Sequence, residues 1–127
     1  MILGCGIDMA DIKRFRKWLD DPQLMSRYFS QDEITYVQCK GLGASASLAA
    51  RFAAKEAFGK ALGCGLKGIV LKDIRVTTVH SGKPELDLRG SAKKAFRNIG
   101  GIAVHLSLTH DGGLALAQVI IEGEDHV

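Results

Sequence analysis

The chain has 127 residues, of which 46% are hydrophobic and 24% charged, and its formal net charge is +3. These proportions are typical of one folded domain, here spanning residues 1–127, and exclude a disordered tail or a fibrous repeat. The longest apolar stretch, residues 114–121, falls far short of the ~20 residues of a membrane-spanning helix, so we expect no membrane partner.

The subcellular location is predicted from the first residues and the cysteines. No basic leader precedes the first apolar residues, so we expect no signal peptide. Cys5, Cys39 and Cys64 are widely spaced and form no C-x-x-C pair. This spacing favours reduced thiols in a cytoplasmic protein.

Residues 2–7 predict a short apolar strand that contains two glycines, Gly4 and Gly6. Because glycine weakens a strand interior, the pair indicates that a ligand or another backbone comes close to this strand. Asp8 is predicted to end the strand.

Two helices are predicted next. Residues 11–19 place apolar side chains at helical spacing, and the Asp-Asp-Pro sequence at 20–22 is predicted to stop that helix. Ser30 and Glu33 have the spacing of a capping box, which predicts a second helix to about residue 38.

A long helix is predicted over residues 47–62, after a loop of Gly, Ala and Ser at 41–47. Glycines at 63–65 end the helix. It is apolar over most of its surface and is therefore predicted to be buried. Its few charges then lie in or beside the core: Arg51, Lys55, Glu56 and Lys60. Glu56 and Lys60 are four residues apart and can pair, either as a helix salt bridge or as part of a functional site.

The second half of the chain alternates between hairpins and one short helix. We predict strands at 74–80, 85–88, 102–109 and 114–121, a basic helix at 91–99, and a frayed polar end at 122–127. Hairpins outnumber crossover connections. The predicted fold class is therefore α+β, with a mostly antiparallel sheet packed with the long buried helix.

Two groups of polar residues are candidates for chemistry. Asp8 follows an apolar strand, where a carboxylate either caps the next helix or binds a cation; together with Glu56 it would suit Mg²⁺. His105, Ser107 and Thr109 alternate along a predicted strand and share one face. That face is either a binding surface or the solvated side of an edge strand.

Several common site motifs are absent. The sequence has no complete G-x-G-x-x-G, no P-loop, and no G-x-S-x-G around Ser107. The basic run at 13–17 is either a solvated helix face or a docking surface for an acidic partner or RNA.

Five motifs occur in one characteristic order along the chain. They are Gly6-Ile7-Asp8 followed by Arg14, Phe29-Ser30-x-x-Glu33, Arg51-Phe52-Ala53-Ala54-Lys55-Glu56-Ala57-x-x-Lys60-Ala61-x-Gly63, Gly82-Lys83-Pro84, and His105-x-Ser107-x-Thr109-His110. This set resembles the holo-acyl-carrier-protein synthases, the small bacterial 4′-phosphopantetheinyl transferases. The resemblance runs from the first residues to about Ile121.

The resemblance implies an activity and a catalytic site. Such enzymes transfer the 4′-phosphopantetheine arm of coenzyme A to a serine of apo acyl carrier protein, releasing adenosine 3′,5′-bisphosphate, and support fatty acid biosynthesis. The implied catalytic residues are Asp8, Glu56 and Lys60, with Asp8 and Glu56 as Mg²⁺ ligands. Lys60 would neutralise the phosphate.

The resemblance also implies binding surfaces and an assembly. Arg51, Gly82, Lys83 and Pro84 would border the nucleotide of coenzyme A, and His105, Ser107 and Thr109 would lie near its phosphates. Arg14 and the first helix would contact the acidic carrier protein. The expected assembly is a homotrimer with active sites between subunits. Residues 38–47 depart from the family pattern, and Thr109 stands where many relatives have serine.

Two other functions compete with this one. A small RNA-binding domain would use the basic helices, but it needs aromatic side chains on a sheet face, and the predicted strands contain almost none. We therefore expect no nucleic-acid partner. A structural oligomer would use Glu56 and Lys60 only to fix its packing.

Overall fold

The computed structural model describes residues 1–125 and contains, within that range, two antiparallel sheets and four α-helices. The strands are β1 (Ile2–Asp11), β2 (Ile74–Thr78), β3 (Pro84–Leu88), β4 (Gly101–Asp111) and β5 (Leu114–Gly123). The helices are α1 (Pro22–Tyr28), α2 (Gln31–Gln38), α3 (Ala44–Leu62) and α4 (Gly90–Asn98). One sheet has the order β1-β5-β4 and the other is the β2–β3 hairpin. The predicted α+β class with antiparallel pairing is confirmed.

The helix α3 packs across one face of the three-stranded sheet and forms the centre of the core. Its alanines and Phe58 are buried against small residues of β5, such as Ala115 and Ala117. The glycines of β1 allow this close packing. A Cβ on Gly4 would lie 1.8 Å from the carbonyl oxygen of Ala61, and one on Gly6 would lie 2.0 Å from that of Ala57. The backbone approach predicted from these glycines is therefore made by α3.

The predicted helix at 11–19 is wrong. The chain forms two 3₁₀ turns there, Ile12–Phe15 and Trp18–Asp20. Ile12, Phe15 and Trp18 recur every three residues, which matches the period of a 3₁₀ helix. Pro22 does not stop a helix but begins α1, because proline fits the first helical turn and the Asp21 side chain caps it.

Three boundaries also differ from the prediction. The strand β1 does not end at Asp8 but continues to Asp11, because its pairing with β5 extends to Leu114. The helix α3 begins at Ala44, inside the predicted loop, because alanine favours a helix even in a Gly- and Ser-rich segment. The polar end is not frayed at Glu122 and Gly123, which pair in β5. Residues 126 and 127 of that predicted segment lie outside the described residues.

The remaining elements agree closely with the prediction. Ser30 and Glu33 form the capping box of α2, with both reciprocal hydrogen bonds present. Gly63 has a φ of 87° and ends α3 in the left-handed conformation. The two hairpins fall where the alternating sequences placed them. Among residues 1–125, no helix is both long and apolar enough to cross a bilayer.

Candidate active site

Asp8 and Lys60 form an ion pair where β1 packs against α3. Lys60 Nζ lies 2.9 Å from Asp8 Oδ1 and 3.0 Å from the carbonyl oxygen of Ile7. The hydrogen bond from Lys60 and the negative charge of Asp8 raise the pKa of Lys60, because both favour the ammonium form. The Asp8 side chain is only 20% exposed, whereas that of Lys60 is 54% exposed. The lysine can therefore reach a solvent-borne ligand, while Asp8 is held in place.

Glu56 lies one turn before Lys60 on α3 and is partly buried. Burial raises the pKa of Glu56, and the negative charge of Asp8 raises it further, whereas Lys60 and Arg14 oppose these effects. The carboxyl groups of Asp8 and Glu56 are thus close enough to repel each other. The predicted pair between Glu56 and Lys60 is wrong, because the ammonium group of Lys60 bonds to Asp8 instead.

The arrangement of Asp8 and Glu56 fits a divalent cation. Besides burial, repulsion from Asp8 raises the pKa of Glu56, and a cation would relieve that repulsion. Within residues 1–125, no three His, Cys, Asp or Glu side chains gather into a fuller metal site. Mg²⁺ commonly binds through one or two carboxylates and completes its shell with water and substrate phosphate. These two carboxylates could therefore hold Mg²⁺ jointly with a phosphate-bearing substrate.

Arg14 is held over an aromatic cluster beside these carboxylates. Its guanidinium carbon lies 5.2 Å from the ring centroids of both Phe15 and Phe52, and 5.7 Å from that of Trp18. Such cation–π contacts fix the orientation of an exposed arginine. The three other cations of this segment, Lys13, Arg16 and Lys17, are exposed. Together these four residues form a basic surface next to Glu56.

A cavity of about 480 Å³ opens between α2, the start of α3, the β2–β3 hairpin and the end of β4. It brings together four of the predicted residues, Arg51, Gly82, Pro84 and Thr109. Arg51 is only 4% exposed, donates to Ser47 Oγ at 2.8 Å, and leaves its buried Nε without a partner. Burial lowers the pKa of Arg51, although an arginine stays charged. Among residues 1–125, no acidic side chain lines this cavity, which is therefore suited to an anion.

Tyr36 and Lys40 line the same cavity and were not predicted. Two cations lie over the Tyr36 ring, with Arg51 Cζ 4.1 Å and Lys40 Nζ 4.5 Å from its centroid. A hydrogen bond with Thr78, then the contact with Lys40, lowers the pKa of Tyr36 to about 8. Tyr36 lies three residues after Glu33 on α2, so a helical wheel of α2 would place both on one face.

Two other predicted nucleotide residues, Lys83 and His105, lie at a second, neighbouring depression. It has a volume of about 370 Å³ and is lined by Lys83, His105 and Pro84, of which Pro84 also lines the first cavity. His105 Nε2 contacts Glu122 Oε1 on the outer face of the sheet. Ser107 is exposed on that face between His105 and Thr109, while the leucines between them pack on the core. The predicted division of β4 into a polar and an apolar face is confirmed.

The buried ion pair of Lys55 and Glu33 was not predicted from the sequence. Lys55 is fully buried on α3, and its Nζ lies 2.9 Å from Glu33 Oε1. Burial lowers the pKa of Lys55, and the charge of Glu33 opposes that effect. One signal was available, because no acidic residue lies four positions from Lys55 on its own helix. A buried lysine without a local partner must find a carboxylate elsewhere in the fold.

Comparison with known proteins identifies the family. Residues 4–117 match the model of the 4′-phosphopantetheinyl transferase superfamily. This chain belongs to that superfamily. The predicted resemblance to these enzymes is thus confirmed, and the chain is an enzyme of the phosphopantetheinyl transferase class.

Several relatives cover nearly the whole chain. A holo-[acyl-carrier-protein] synthase from Treponema denticola is 55% identical over 123 residues, which are 97% of this chain and 100% of the relative. The crystal structure of a holo-[acyl-carrier-protein] synthase from Neisseria meningitidis has a TM-score of 0.86 at 31% identity, covering 96% of this chain and 99% of that one. A synthase from Bacillus anthracis, solved in complex with CoA (3′,5′-ADP), has a TM-score of 0.80 at 36% identity, covering 98% of this chain and 99% of that one. These structures confirm the predicted fold.

Proposed function

We propose that this phosphopantetheinyl transferase moves the 4′-phosphopantetheine group of coenzyme A to a serine of apo acyl carrier protein. The products are holo acyl carrier protein and adenosine 3′,5′-bisphosphate. The observation that carries the proposal is the cluster of Asp8, Glu56 and Lys60 at the contact of β1 with α3. The Bacillus anthracis synthase, solved with CoA, supports coenzyme A as the donor.

The reaction displaces one phosphate ester by another at a phosphorus atom of the coenzyme A pyrophosphate. The serine oxygen of the carrier forms the new P–O bond, and the bond to the departing adenosine 3′,5′-bisphosphate breaks. In such transfers a protein contributes mainly positioning and charge neutralisation. Lys60 turns its exposed ammonium group to the phosphate oxygens and neutralises charge on the leaving group. Glu56, one turn before Lys60 on α3, accepts the serine proton.

Asp8 and Glu56 would hold Mg²⁺, which when bound polarises the phosphate and neutralises its charge. The rigid position of Asp8 supports this role, because β1 is fixed against α3 by the close approach of Gly6 to Ala57.

The nucleotide end of coenzyme A is proposed to occupy the cavity at Arg51. Arg51 and Lys40 supply positive charge there, while Gly82, Pro84 and Thr109 form its walls. Lys83 and His105 lie at the adjoining depression, and Ser107 is exposed on the same strand as His105, so these three residues can contact phosphates outside the cavity. Arginine is well suited to this task, because its planar fork binds phosphate oxygens in pairs.

The acidic carrier protein is proposed to dock on the basic surface of Lys13, Arg14, Arg16 and Lys17. Opposite charge on two partners speeds their encounter and fixes their orientation. Arg14 supports this role, since its aromatic contacts hold a positive charge next to the site of Glu56.

The assembly is proposed to be a homotrimer with active sites between subunits. The outer face of β1 exposes Ile7 and Met9, at 58% and 59%, which is unusual for a face left in water. In addition, a shallow groove opens beside Asp8 and Lys60. Among the described residues, none that lines this groove also lines the cavity at Arg51. A neighbouring subunit would bring the two halves together.

We place the enzyme in the cytoplasm and in fatty acid biosynthesis. Its three cysteines are exposed thiols, which suits a reducing compartment. The test of the proposed reaction is chromatographic detection of adenosine 3′,5′-bisphosphate after incubation with coenzyme A, Mg²⁺ and apo acyl carrier protein. Release that requires the carrier supports transfer, whereas equal release without the carrier would indicate hydrolysis and contradict it.

A further inference from the structure

The buried ion pair of Glu33 and Lys55 joins three elements that also form the cavity at Arg51. Lys55 Nζ on α3 donates to Glu33 Oε1 on α2, to the carbonyl oxygen of Leu71 at 2.9 Å, and to that of Ile74 at the start of β2. Glu33 Oε2 in turn accepts the backbone N–H of Val76 at 3.2 Å. Both side chains are at most 2% exposed. Charged groups of two helices thus bind the backbone of the β2–β3 hairpin.

Each of these elements carries a cavity residue next to its part of the ion pair. On α3, Arg51 lies one turn before Lys55, and on α2, Tyr36 lies one turn after Glu33. On β2, Thr78 lies two residues after Val76 and therefore points to the same side of the strand. All three cavity residues line the space proposed for the nucleotide.

Much of the hydrogen bonding between the β2–β3 hairpin and the helices α2 and α3 is made by this ion pair. The hairpin forms its own two-stranded sheet, separate from the sheet that packs on α3. Its other charged link to α2 is an exposed bridge from Arg75 to Asp32, with the Asp32 side chain 77% exposed. Surface bridges of that kind contribute little, whereas breaking a buried pair leaves polar groups unpaired.

We propose that Glu33 and Lys55 are positioning residues that set the width of the nucleotide cavity by fixing the β2–β3 hairpin against α2 and α3. This inference rests on the proposed function for its substrate, coenzyme A. The two residues touch no reacting atom. They act by holding Thr78, Gly82 and Pro84 opposite Arg51 and Tyr36.

The test uses a double variant, Glu33→Gln/Lys55→Met, in the full chain. Removing both charges together avoids an unpaired buried charge, and glutamine keeps an oxygen for the capping box of α2. If thermal unfolding shows that this variant does not fold, Glu33→Met/Lys55→Met takes its place as an apolar replacement. The matched control is Asp32→Asn, which removes the exposed bridge between the same two elements.

The first readout reports on the cavity without coenzyme A. The largest single effect that lowers the pKa of Tyr36, to about 8, comes from Thr78 on the hairpin, and Lys40 and Arg51 lower it further. Absorbance at the tyrosinate band should show this midpoint moving up towards that of an ordinary tyrosine in the double variant, and unchanged in Asp32→Asn. A folded double variant that keeps the low midpoint would overturn the proposal.

The second readout separates binding from chemistry. We expect KM for coenzyme A to rise about tenfold, which corresponds to a loss of about 1.4 kcal/mol in binding, with kcat nearly unchanged. A folded variant with a normal KM, or one that loses only kcat, would contradict a positioning role. If the unmodified chain transfers nothing, the proposed function fails, while the tyrosine titration still decides whether the ion pair sets the cavity.

Discussion

Lys60 Nζ bonds to Asp8 Oδ1 at 2.9 Å, so a lysine proposed to serve the substrate also pairs with a proposed metal ligand. The two proposed roles compete for one carboxylate. We expect a cation that binds Asp8 to displace the ammonium group, which then becomes available to the phosphate. Metal and substrate binding are therefore expected to be coupled through Lys60.

Lys60→Met should weaken transfer yet tighten metal binding in the absence of coenzyme A. Loss of one preorganised charge at a phosphoryl site is expected to lower kcat on the order of 10²-fold. Loss of a repelling cation should tighten Mn²⁺ binding roughly thirtyfold, because a unit charge and a divalent cation 4 Å apart repel each other by about 2 kcal/mol in water. Calorimetric titration with Mn²⁺ and steady-state kinetics measure the two effects. Lys94→Met, at an exposed lysine of α4, is the control. Weaker Mn²⁺ binding in Lys60→Met would count against the competition.

Glu56→Gln should stop transfer and, without metal, stabilise the fold. Because the folded-state pKa of Glu56 is raised, this group favours folding at low pH and loses that contribution as the pH rises through the raised pKa. Glutamine resembles the protonated form, so the variant should gain stability relative to the unmodified chain near neutral pH.

We expect Tm of Glu56→Gln at pH 7 in chelator to rise by only about 1–2 °C, because solvent screens the repulsion at this partly exposed group. The gain should shrink at acidic pH. Differential scanning calorimetry at both pH values provides the measurement. A lower Tm with lost assembly would favour a purely structural role for Glu56 and Lys60.

Much of the fold could be predicted because its signals are local. The capping box at Ser30 and Glu33, the glycine end of α3 and the alternation of β4 each depend on neighbouring residues. The first turns could not be predicted in the same way, since a spacing of three residues between Ile12, Phe15 and Trp18 fits both an α-helix and a 3₁₀ helix. The rings of Phe15 and Phe52 pack 5.3 Å apart, and this contact joins residues distant in sequence.

The residues of the candidate site could be predicted, but their ion pairs could not. Helical spacing favours an ion pair between Glu56 and Lys60. The glycines of β1 instead let that strand pack so close to α3 that Asp8 forms the ion pair with Lys60. Lys55 forms an ion pair with Glu33, which is 22 residues away in the sequence. Tyr36 lines the cavity and contacts Thr78 and Arg51. These contacts depend on how α2, α3 and the hairpin pack together, which no local pattern encodes.

Tyr36 should ionise near pH 8, well below an ordinary tyrosine. Its anion would carry negative charge into a cavity proposed for a phosphate-bearing nucleotide. The affinity for coenzyme A should therefore fall as the pH rises through about 8. Because the folded-state pKa is lowered, the same ionisation should add stability above pH 8.

Ultraviolet difference titration and calorimetric binding of coenzyme A across this range measure both effects. Tyr36→Phe should remove the early titration and flatten the pH dependence of binding. Tyr28→Phe is the matched control, since Tyr28 lies in the aromatic cluster with Trp18 and Phe52. An early titration that survives in Tyr36→Phe would contradict the assignment.

Carrier modification should slow as salt is added. If the surface of Lys13, Arg14, Arg16 and Lys17 attracts an acidic carrier, kcat/KM for the carrier should fall about tenfold between low and high ionic strength. Arg16→Gln and Lys17→Gln together should reduce that dependence, whereas Lys93→Gln and Lys94→Gln on α4 should not. A rate for the unmodified chain that does not change with ionic strength would rule out this docking surface.

The central claim is tested most directly by intact-protein mass spectrometry of apo acyl carrier protein incubated with this chain, coenzyme A and Mg²⁺. We predict a gain of one phosphopantetheine group per carrier, lost on chelation, regained on adding Mg²⁺, and absent with Asp8→Asn. The Asp8→Asn variant should keep its Tm, so that the loss reflects chemistry. No mass gain with a folded chain, on a carrier that a known synthase modifies in parallel, would contradict the proposed transfer.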